Sequence, residues 1–350
     1  MNKIAIFVPS LKKGGAEKQA CLLASALLEK HEVIMLVHVP EAGLEEENIK
    51  LSKLPAENIF LLSGNSCKRL WNIYRILRKY KPKYLFCYLT KPDFWGPIIG
   101  RLSGIEHIYQ GLRNAKLPRS KIFLERIGNI FATGAIVNNY AGVETFCQHS
   151  IKNQIVIPNC YLAPQDALKR VEKDTVTVIT VGRFVEQKDY HTAIAAVAAA
   201  MRHDNRIRFK IIGHGELEDN VKRWVDEYAI SEKTEILINP KGIMNHLKNA
   251  DIYLSTSLFE GTSNSIMEAL DASLPVIATT VGDNDKLVLN ETNGYLVGAK
   301  DVDHISKCII NLSQATELRI RFGIAGNSLL KEKYSFDTFK RHYFDLIESN

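Results

Sequence analysis

The chain has 350 residues, 46% of them hydrophobic and 24% charged, with a formal net charge of +6. This is long enough for two domains of ordinary size, each with its own core, and it excludes a disordered or fibrous chain. No apolar run approaches the ~18–20 residues that span a bilayer, and six scattered cysteines without a C-x-x-C pair exclude a zinc cluster or disulfide framework and point to reduced thiols in the cytosol.

The charge is unevenly placed. Residues 1–160 hold 22 Lys and Arg against 12 Asp and Glu, whereas the remainder holds 23 against 27. A basic first half is suited to an anionic partner: a phosphate-bearing acceptor, an anionic membrane leaflet or nucleic acid. The last is disfavoured, because no helix-turn-helix, zinc-finger or RNP-like pattern accompanies the charge.

The opening MNKIAIFVPS has too short an apolar run for a signal-peptide core and reads as a first strand over Ile4 to Val8. A loop through Gly14-Gly15 leads to a helix from about Ala16 to Lys30, and Val33 to Val39 is the next strand. Leu70 to Lys79 predicts a basic helix bearing Trp71 and Tyr74, either a plain surface helix or one resting on a membrane. Strands follow at Tyr84 to Tyr88, His107 to Tyr109, Ala135 to Asn138 and Gln154 to Ile157, and the basic segment from Gln110 to Arg126 is placed by its position after a strand end at a cleft. Leu162 to Asp174, polar and containing Pro164, is the expected linker.

The second half restarts the alternation. Strands are expected at Val176 to Val181, Arg208 to Ile212, Glu235 to Ile238, Asp251 to Ser257 and Pro275 to Ala278, with helices at Tyr190 to Met201, Glu216 to Tyr228 and Gly242 to Ala250. Strand and helix in turn predict parallel sheets. Phe336 to Ile347 is a final amphipathic helix.

The stretch Phe259-Glu260-Gly261-Thr262-Ser263-Asn264-Ser265-Ile266-Met267-Glu268 joins a strand to a helix through small residues, with one carboxylate on each side. Such a turn lets a ligand reach the backbone and ends at a helix N-terminus whose N–H groups attract oxygen ligands. Glu268 is expected in the first helical turn, where the helix dipole alone favours an acid by about 0.3–1 kcal/mol. Val181-Gly182-Arg183 through Lys188 offers an Arg fork and a Lys point charge on one loop, suited to a departing diphosphate. Gly14-Gly15 and Gly213-His214-Gly215 are further turns open to close approach. Asp283-Asn284-Asp285 looks like a metal-binding D-x-D but follows Val281-Gly282 and reads as a turn.

The two glutamates with seven residues between them, preceded by Phe and enclosing Gly-Thr-Ser-Asn-Ser, together with the Gly-Arg…Lys loop, resemble the nucleotide-sugar signature of retaining glycosyltransferases of family 4 (glycosyl transferases group 1). The resemblance covers nearly the whole chain and is densest from Val181 to Leu270. It implies the GT-B fold, an α/β architecture of two Rossmann-like domains with parallel sheets facing across a cleft. The domains would be residues 1–165 for the acceptor and 166–333 for the nucleotide-sugar donor, with 334–350 returning to the first domain.

By the same resemblance Arg183 and Lys188 bind the donor diphosphate, Glu260 contacts donor-sugar hydroxyls and Glu268 the ribose. Backbone N–H groups of Thr262, Ser263 and Asn264 help hold the sugar and phosphate, and Gly14, Gly15 and Gly213 approach the donor. Many relatives carry a cleft histidine where this chain reads Tyr109-Gln110-Gly111-Leu112-Arg113, so Arg113 is the substitute candidate, with Gln110 as the alternative. The implied enzyme moves a sugar from a nucleotide diphosphate, a UDP-sugar being favoured, to a lipid-linked or glycan acceptor in bacterial surface polysaccharide synthesis. It would need no metal or other cofactor and would work in the cytoplasm, at the inner face of an anionic membrane. A GT-B epimerase acting on a nucleotide sugar, or a non-catalytic nucleotide-sugar-binding protein, would keep the same donor residues.

Overall fold

Strands buried on both faces need near-continuous apolar runs, and the chain supplies them at Ile4–Val8 and Val33–Val37, every residue of which is buried. The computed structural model describes residues 1–12, 14–112, 119–162, 166–168 and 173–349. In it the chain forms two units: residues 1–160 with 336–350, and residues 161–335. The boundaries expected from sequence, 165/166 and 333/334, shift to 160/161 and 335/336. The linker expected at 162–174 falls largely outside the described residues.

In chain order the first unit runs β1 (Lys3–Val8), α1 (Gly15–Leu27), β2 (Glu32–Val37), α2 (Glu46–Ser52), β3 (Ile59–Leu61) and α3 (Ser66–Tyr80). It continues with β4 (Tyr84–Cys87), α4 (Thr90–Leu102), β5 (His107–Leu112), α5 (Arg119–Phe131), β6 (Gly134–Val137), α6 (Tyr140–Gln148) and β7 (Gln154–Val156). The second unit opens with β8 (Val176–Arg183), α7 (Tyr190–His203), β9 (Ile207–His214), α8 (Glu218–Glu227), β10 (Thr234–Ile238) and α9 (Ile243–Asn249). It then takes β11 (Ile252–Ser255), α10 (Asn264–Asp271), β12 (Val276–Thr279), α11 (Asn284–Leu287), β13 (Gly294–Val297), α12 (Val302–Gln314) and α13 (Thr316–Tyr334). The chain ends with α14 (Phe336–Glu348), which belongs to the first unit.

Among the described residues the first unit's sheet has seven strands in the order β3-β2-β1-β4-β5-β6-β7 and the second unit's has six in the order β10-β9-β8-β11-β12-β13. Every strand pairing is parallel. Both sheets are doubly wound. Strand order reverses between β1 and β4 in one and between β8 and β11 in the other, and at such a reversal the loops at the carboxyl ends part and leave a crevice for a ligand.

Several places depart from the expected elements. Residues 119–131 of the basic segment are helix α5, and Gln110 is wholly buried in β5 rather than set in an open loop. Its amide donates to the carbonyls of Asp93 and Glu125, both at 2.9 Å, and accepts from Asn129 at 3.0 Å, so it ties α4 to α5. Glycine at 128 permits that packing, since a Cβ there would lie 2.2 Å from the Asp93 carbonyl. The other departures are α4 and the short elements α2, β3 and β13, which sequence periodicity did not mark.

Helix α14 owes its place to the spacing of Phe339, Tyr343 and Ile347, which form one buried face. Tyr343 meets Phe86 edge-on at 5.6 Å, and the Tyr84 hydroxyl donates to the Ile347 carbonyl at 2.9 Å. Each side chain buried this way contributes about 1.5–3 kcal/mol.

Candidate functional site

Because β8 and β11 are neighbours at the reversal point of the second sheet, the loops that leave their carboxyl ends meet. The loop after β8 is anchored by Phe184, fully buried and edge-on to Tyr190 at 5.0 Å. A single turn at Glu186–Lys188 follows, and Asp189 then caps α7, its carboxylate accepting from the Thr192 hydroxyl at 2.7 Å. The loop after β11 is laced to it. Leu258 N–H donates to the Gln187 carbonyl at 2.8 Å, Gln187 Nε2 to the Phe259 carbonyl at 2.8 Å, and Thr256 Oγ1 to the carbonyls of Lys188 and Asp189 at 2.9 Å.

Across this seam the Lys188 ammonium donates to Glu260 Oε1. The Ser257 hydroxyl donates to the same oxygen at 2.8 Å, and the Ser257 carbonyl accepts from Thr279 Oγ1 at 2.6 Å. The two charged side chains are 18% and 10% exposed, so little water screens their attraction. An ammonium has three donors; Glu260 takes one, leaving Lys188 able to serve an anion at the same time. Arg183, the last residue of β8, is exposed at the edge of this seam.

The turn to α10 is braced from beneath. Gly282 has φ +55°, and a Cβ there would sit 2.3 Å from the Glu260 carbonyl. Asp283 N–H donates to the Gly261 carbonyl at 3.3 Å, and Thr262 Oγ1 donates to Asp283 Oδ2 at 3.2 Å. Asp283-Asn284-Asp285 is thus no open turn: Asp283 and Asn284 are buried at the start of α11, and Asp285 pairs with Lys286 at 2.9 Å. Ser263 is the N-cap residue of α10 and Asn264, exposed, its first residue, so the N–H groups of the first turn project from the carboxyl edge of the sheet.

Glu268 is the fifth residue of α10, in its second turn rather than the first, so the helix dipole does not account for its presence. It stands half-buried near Tyr253, the residue that links the two glutamates. The Tyr253 hydroxyl is buried and donates to the Val181 carbonyl at 3.3 Å. Burial raises its pKa, a hydrogen bond with Ser265 opposes the rise, and the charges of Glu268 and Glu260 add to it. Both carboxylates therefore stand around one phenol. Tyr253, Thr256 and Ser257 escaped the sequence reading, although the alternation of DIYLSTS aims 253, 255 and 257 to one side.

Gly213, buried near the end of β9, is opposite Gly182 in register, and a Cβ on it would lie 2.0 Å from the Gly182 carbonyl. His214 is exposed, and Asn239 N–H donates to the Gly213 carbonyl at 3.2 Å. A cavity of about 540 Å3 at the opposite, amino-terminal edge of this sheet, walled by Ala198, Met201 and Tyr228, contains none of these residues.

In the first unit Gly14 is the N-cap residue of α1 and Gly15 its exposed first residue, at that sheet's own reversal point. Glu17 is buried behind them, accepting from the Ser10 hydroxyl at 3.3 Å. Arg113 lies outside the described residues, and Gln110 is a packing residue. Buried beside it, Glu125 is 3% exposed; burial lifts its pKa to about 7, opposed by a hydrogen bond with Thr90 and the charge of Lys121. Among the described residues no group of three or more His, Cys, Asp or Glu side chains is arranged to hold a metal ion.

Comparison with known proteins matches residues 165–328 to the family model described as glycosyl transferases group 1. Over 345 residues the chain is 24% identical to the lipopolysaccharide core biosynthesis glycosyltransferase LpsE of Rhizobium meliloti, covering 97% of both chains. Over 314 residues it is 23% identical to the UDP-Gal:alpha-D-GlcNAc-diphosphoundecaprenol alpha-1,3-galactosyltransferase of Escherichia coli, covering 80% of both. Its fold matches Anabaena HepE, solved in complex with UDP and glucose, with a TM-score of 0.82 at 17% identity over 100% of each chain. The doubly wound units are therefore those of the GT-B fold.

Proposed function

Since the chain is a glycosyltransferase of the GT-B fold that carries the glycosyl transferases group 1 domain over residues 165–328, we propose that it transfers a sugar from UDP to a hydroxyl of a lipid-linked or glycan acceptor, with retention of configuration, in bacterial surface polysaccharide synthesis. The observation that carries the reading is the contact of Lys188 with Glu260 at the reversal point of the second sheet, beside the N-terminus of α10.

In this reading Arg183, the remaining donors of Lys188 and the first N–H groups of α10 face the diphosphate. Glu268 accepts from the ribose hydroxyls. Glu260, with Oε1 held by Lys188 and Ser257, accepts from the donor sugar through its other oxygen. The bond between the anomeric carbon and the diphosphate oxygen breaks as the acceptor oxygen bonds on the same face. The acceptor proton passes to the departing phosphate, giving UDP and a glycoside. Positioning and charge stabilisation supply the rate, and the mechanism calls on neither a protein base nor a metal. The lipid-diphosphate acceptor named for the Escherichia coli relative and the UDP bound in HepE support the choice of substrates. The site of action is the cytoplasmic face of the membrane.

The test is a thermal-stability screen against UDP- and GDP-sugars, followed by incubation of the stabilising donor with a short-chain lipid-diphosphate sugar in excess EDTA. A ligand at 100-fold over its Kd adds about 2.7 kcal/mol of stability, so a UDP-sugar should raise the melting temperature clearly. Release of UDP with an anomerically retained glycoside is the expected product. A rearranged nucleotide sugar would identify an epimerase, binding without turnover a non-catalytic protein, and activity restored only by manganese would overturn metal independence.

A further inference from the structure

Helix α5 has two apolar faces, and among the described residues only one is covered. Its inner face, with Ile122, Glu125 and Gly128, packs on α4. Its outer face carries Phe123, Ile127 and Ile130, spaced four and three residues apart and so aligned along the helix. Phe123 is 61% exposed and Ile130 76%, and Phe131, which ends the helix, is also exposed. Other large apolar side chains are exposed, Trp71 and Leu102 among them, but Phe123, Ile127 and Ile130 lie together along one helix face, and a contiguous patch of that kind marks an interaction site.

What surrounds it is basic. Arg126 stands on the same face, and Lys152 lines a shallow cavity of about 620 Å3 together with Phe123, Arg126, Ile127 and Ile130. Arg101 closes the end of the helix, its guanidinium donating to the Phe131 carbonyl at 2.7 Å and to Thr133 Oγ1 at 3.2 Å. Glu125, the one acid in the sequence of α5, is turned inward. Helix α3, for which the sequence left membrane contact as the alternative to a plain surface helix, lacks such a face: Ile73 and Leu77 are buried in the core, and its exposed Trp71 stacks on Tyr74 at 5.6 Å.

We propose that the outer face of α5, with Phe123, Ile130 and Phe131 as the inserted side chains and Arg126, Lys152 and Arg101 as the charged rim, docks on an anionic bilayer surface. Apolar side chains entering the boundary of headgroups and acyl chains beneath a ring of cations is how a surface helix holds to lipid, and each cation near an anionic leaflet strengthens binding about fivefold. The excess of 22 basic over 12 acidic residues in 1–160 works in the same direction. The inference rests on the proposed lipid-linked acceptor and assigns the membrane contact to one helix.

The experiment is co-sedimentation of the full chain with phosphatidylcholine vesicles, with and without phosphatidylglycerol. The protein should pellet with the anionic vesicles only and be released by salt. Ile130→Asp with Phe123→Asp, both at exposed positions where the fold tolerates charge, should lower partitioning at least tenfold, and Arg126→Glu about fivefold or more. Trp71→Asp should leave binding unchanged, and circular dichroism melts should confirm that all variants fold. Full vesicle binding by the double variant, loss of binding in Trp71→Asp, or a self-associated protein that the double variant turns into monomers without any lipid binding would each overturn the proposal. Transfer to a water-soluble acceptor separates this from the functional reading: the double variant should retain it, and failure of the wild type to transfer to any acceptor would count against the enzyme assignment while vesicle binding stood.

Discussion

Breaking the contact between Lys188 and Glu260 is the most direct test of the proposed donor site. At a hydrogen-bonded separation of about 3 Å and an effective dielectric constant of about 20, two unit charges attract by roughly 5 kcal/mol. Desolvation of a pair only 18% and 10% exposed offsets most of this, which leaves a net coupling of about 1–3 kcal/mol. Lys188→Met should leave Glu260 with Ser257 as its remaining donor and lower stability by about 2–3 kcal/mol. Glu260→Gln should cost less, because the amide oxygen still accepts from Ser257, and the double variant should recover part of the loss. The coupling is measured by a double-mutant cycle from urea unfolding. Trp224, in the second unit, reports the transition in a background with Trp71 and Trp95 replaced by Phe. In turnover, Lys188→Met should reduce kcat/KM by about 30–1000-fold, since on the proposed reading it removes both the clamp on Glu260 and a cation facing the leaving diphosphate. Additive single effects, with coupling below about 0.5 kcal/mol, together with unchanged kcat/KM, would refute the site.

Three further outcomes follow from neighbouring features. Glu268→Gln should weaken UDP affinity by about 10–100-fold in calorimetry, the value of one hydrogen bond to a charged group, and unchanged affinity would remove Glu268 from the site. Gly282→Ala forces a Cβ onto the Glu260 carbonyl at φ +55° and should cost about 1–3 kcal/mol of stability, with donor binding impaired because the Glu260 loop must move; a neutral variant would show that the loop is not braced there. Glu125 gives a pH signature: its pKa rises on folding from 4.5 to about 7, so the folded state holds the proton more tightly than the unfolded chain. Its contribution is complete below about pH 4.5 and is lost as pH climbs through about 7, roughly 3 kcal/mol in all. Glu125→Gln should remove that slope and be the more stable protein at pH 8, as read from unfolding midpoints across the range.

The α/β alternation, the two domains and most strands were legible in the sequence, because local patterning decides them: buried parallel strands require apolar runs such as IAIFV and VIMLV wherever they lie. The candidate loops were legible for a related reason, since small residues between a strand and a helix can serve only a few purposes. Glu260, Glu268, Arg183 and Lys188 stood out because their two loops resemble the family signature.

Three-dimensional contacts decided the rest. Helix α4 contains Pro92, Pro97 and two glycines, against its own propensity; it exists because burial against the first sheet outweighs a local cost of a few kcal/mol. Gln110 looked like a cleft residue, and its burial depends on carbonyls of Asp93 and Glu125, 17 and 15 residues away. The meeting of Lys188 with Glu260, 72 residues apart, follows from strand order, which periodicity along a chain does not encode. The sequence alone determined which residues can be strand, helix or ligand loop, because those depend on neighbours a few positions away. Only the tertiary structure decided which loops share a crevice and which face of α5 is left to solvent, because those depend on which distant segments the core brings side by side.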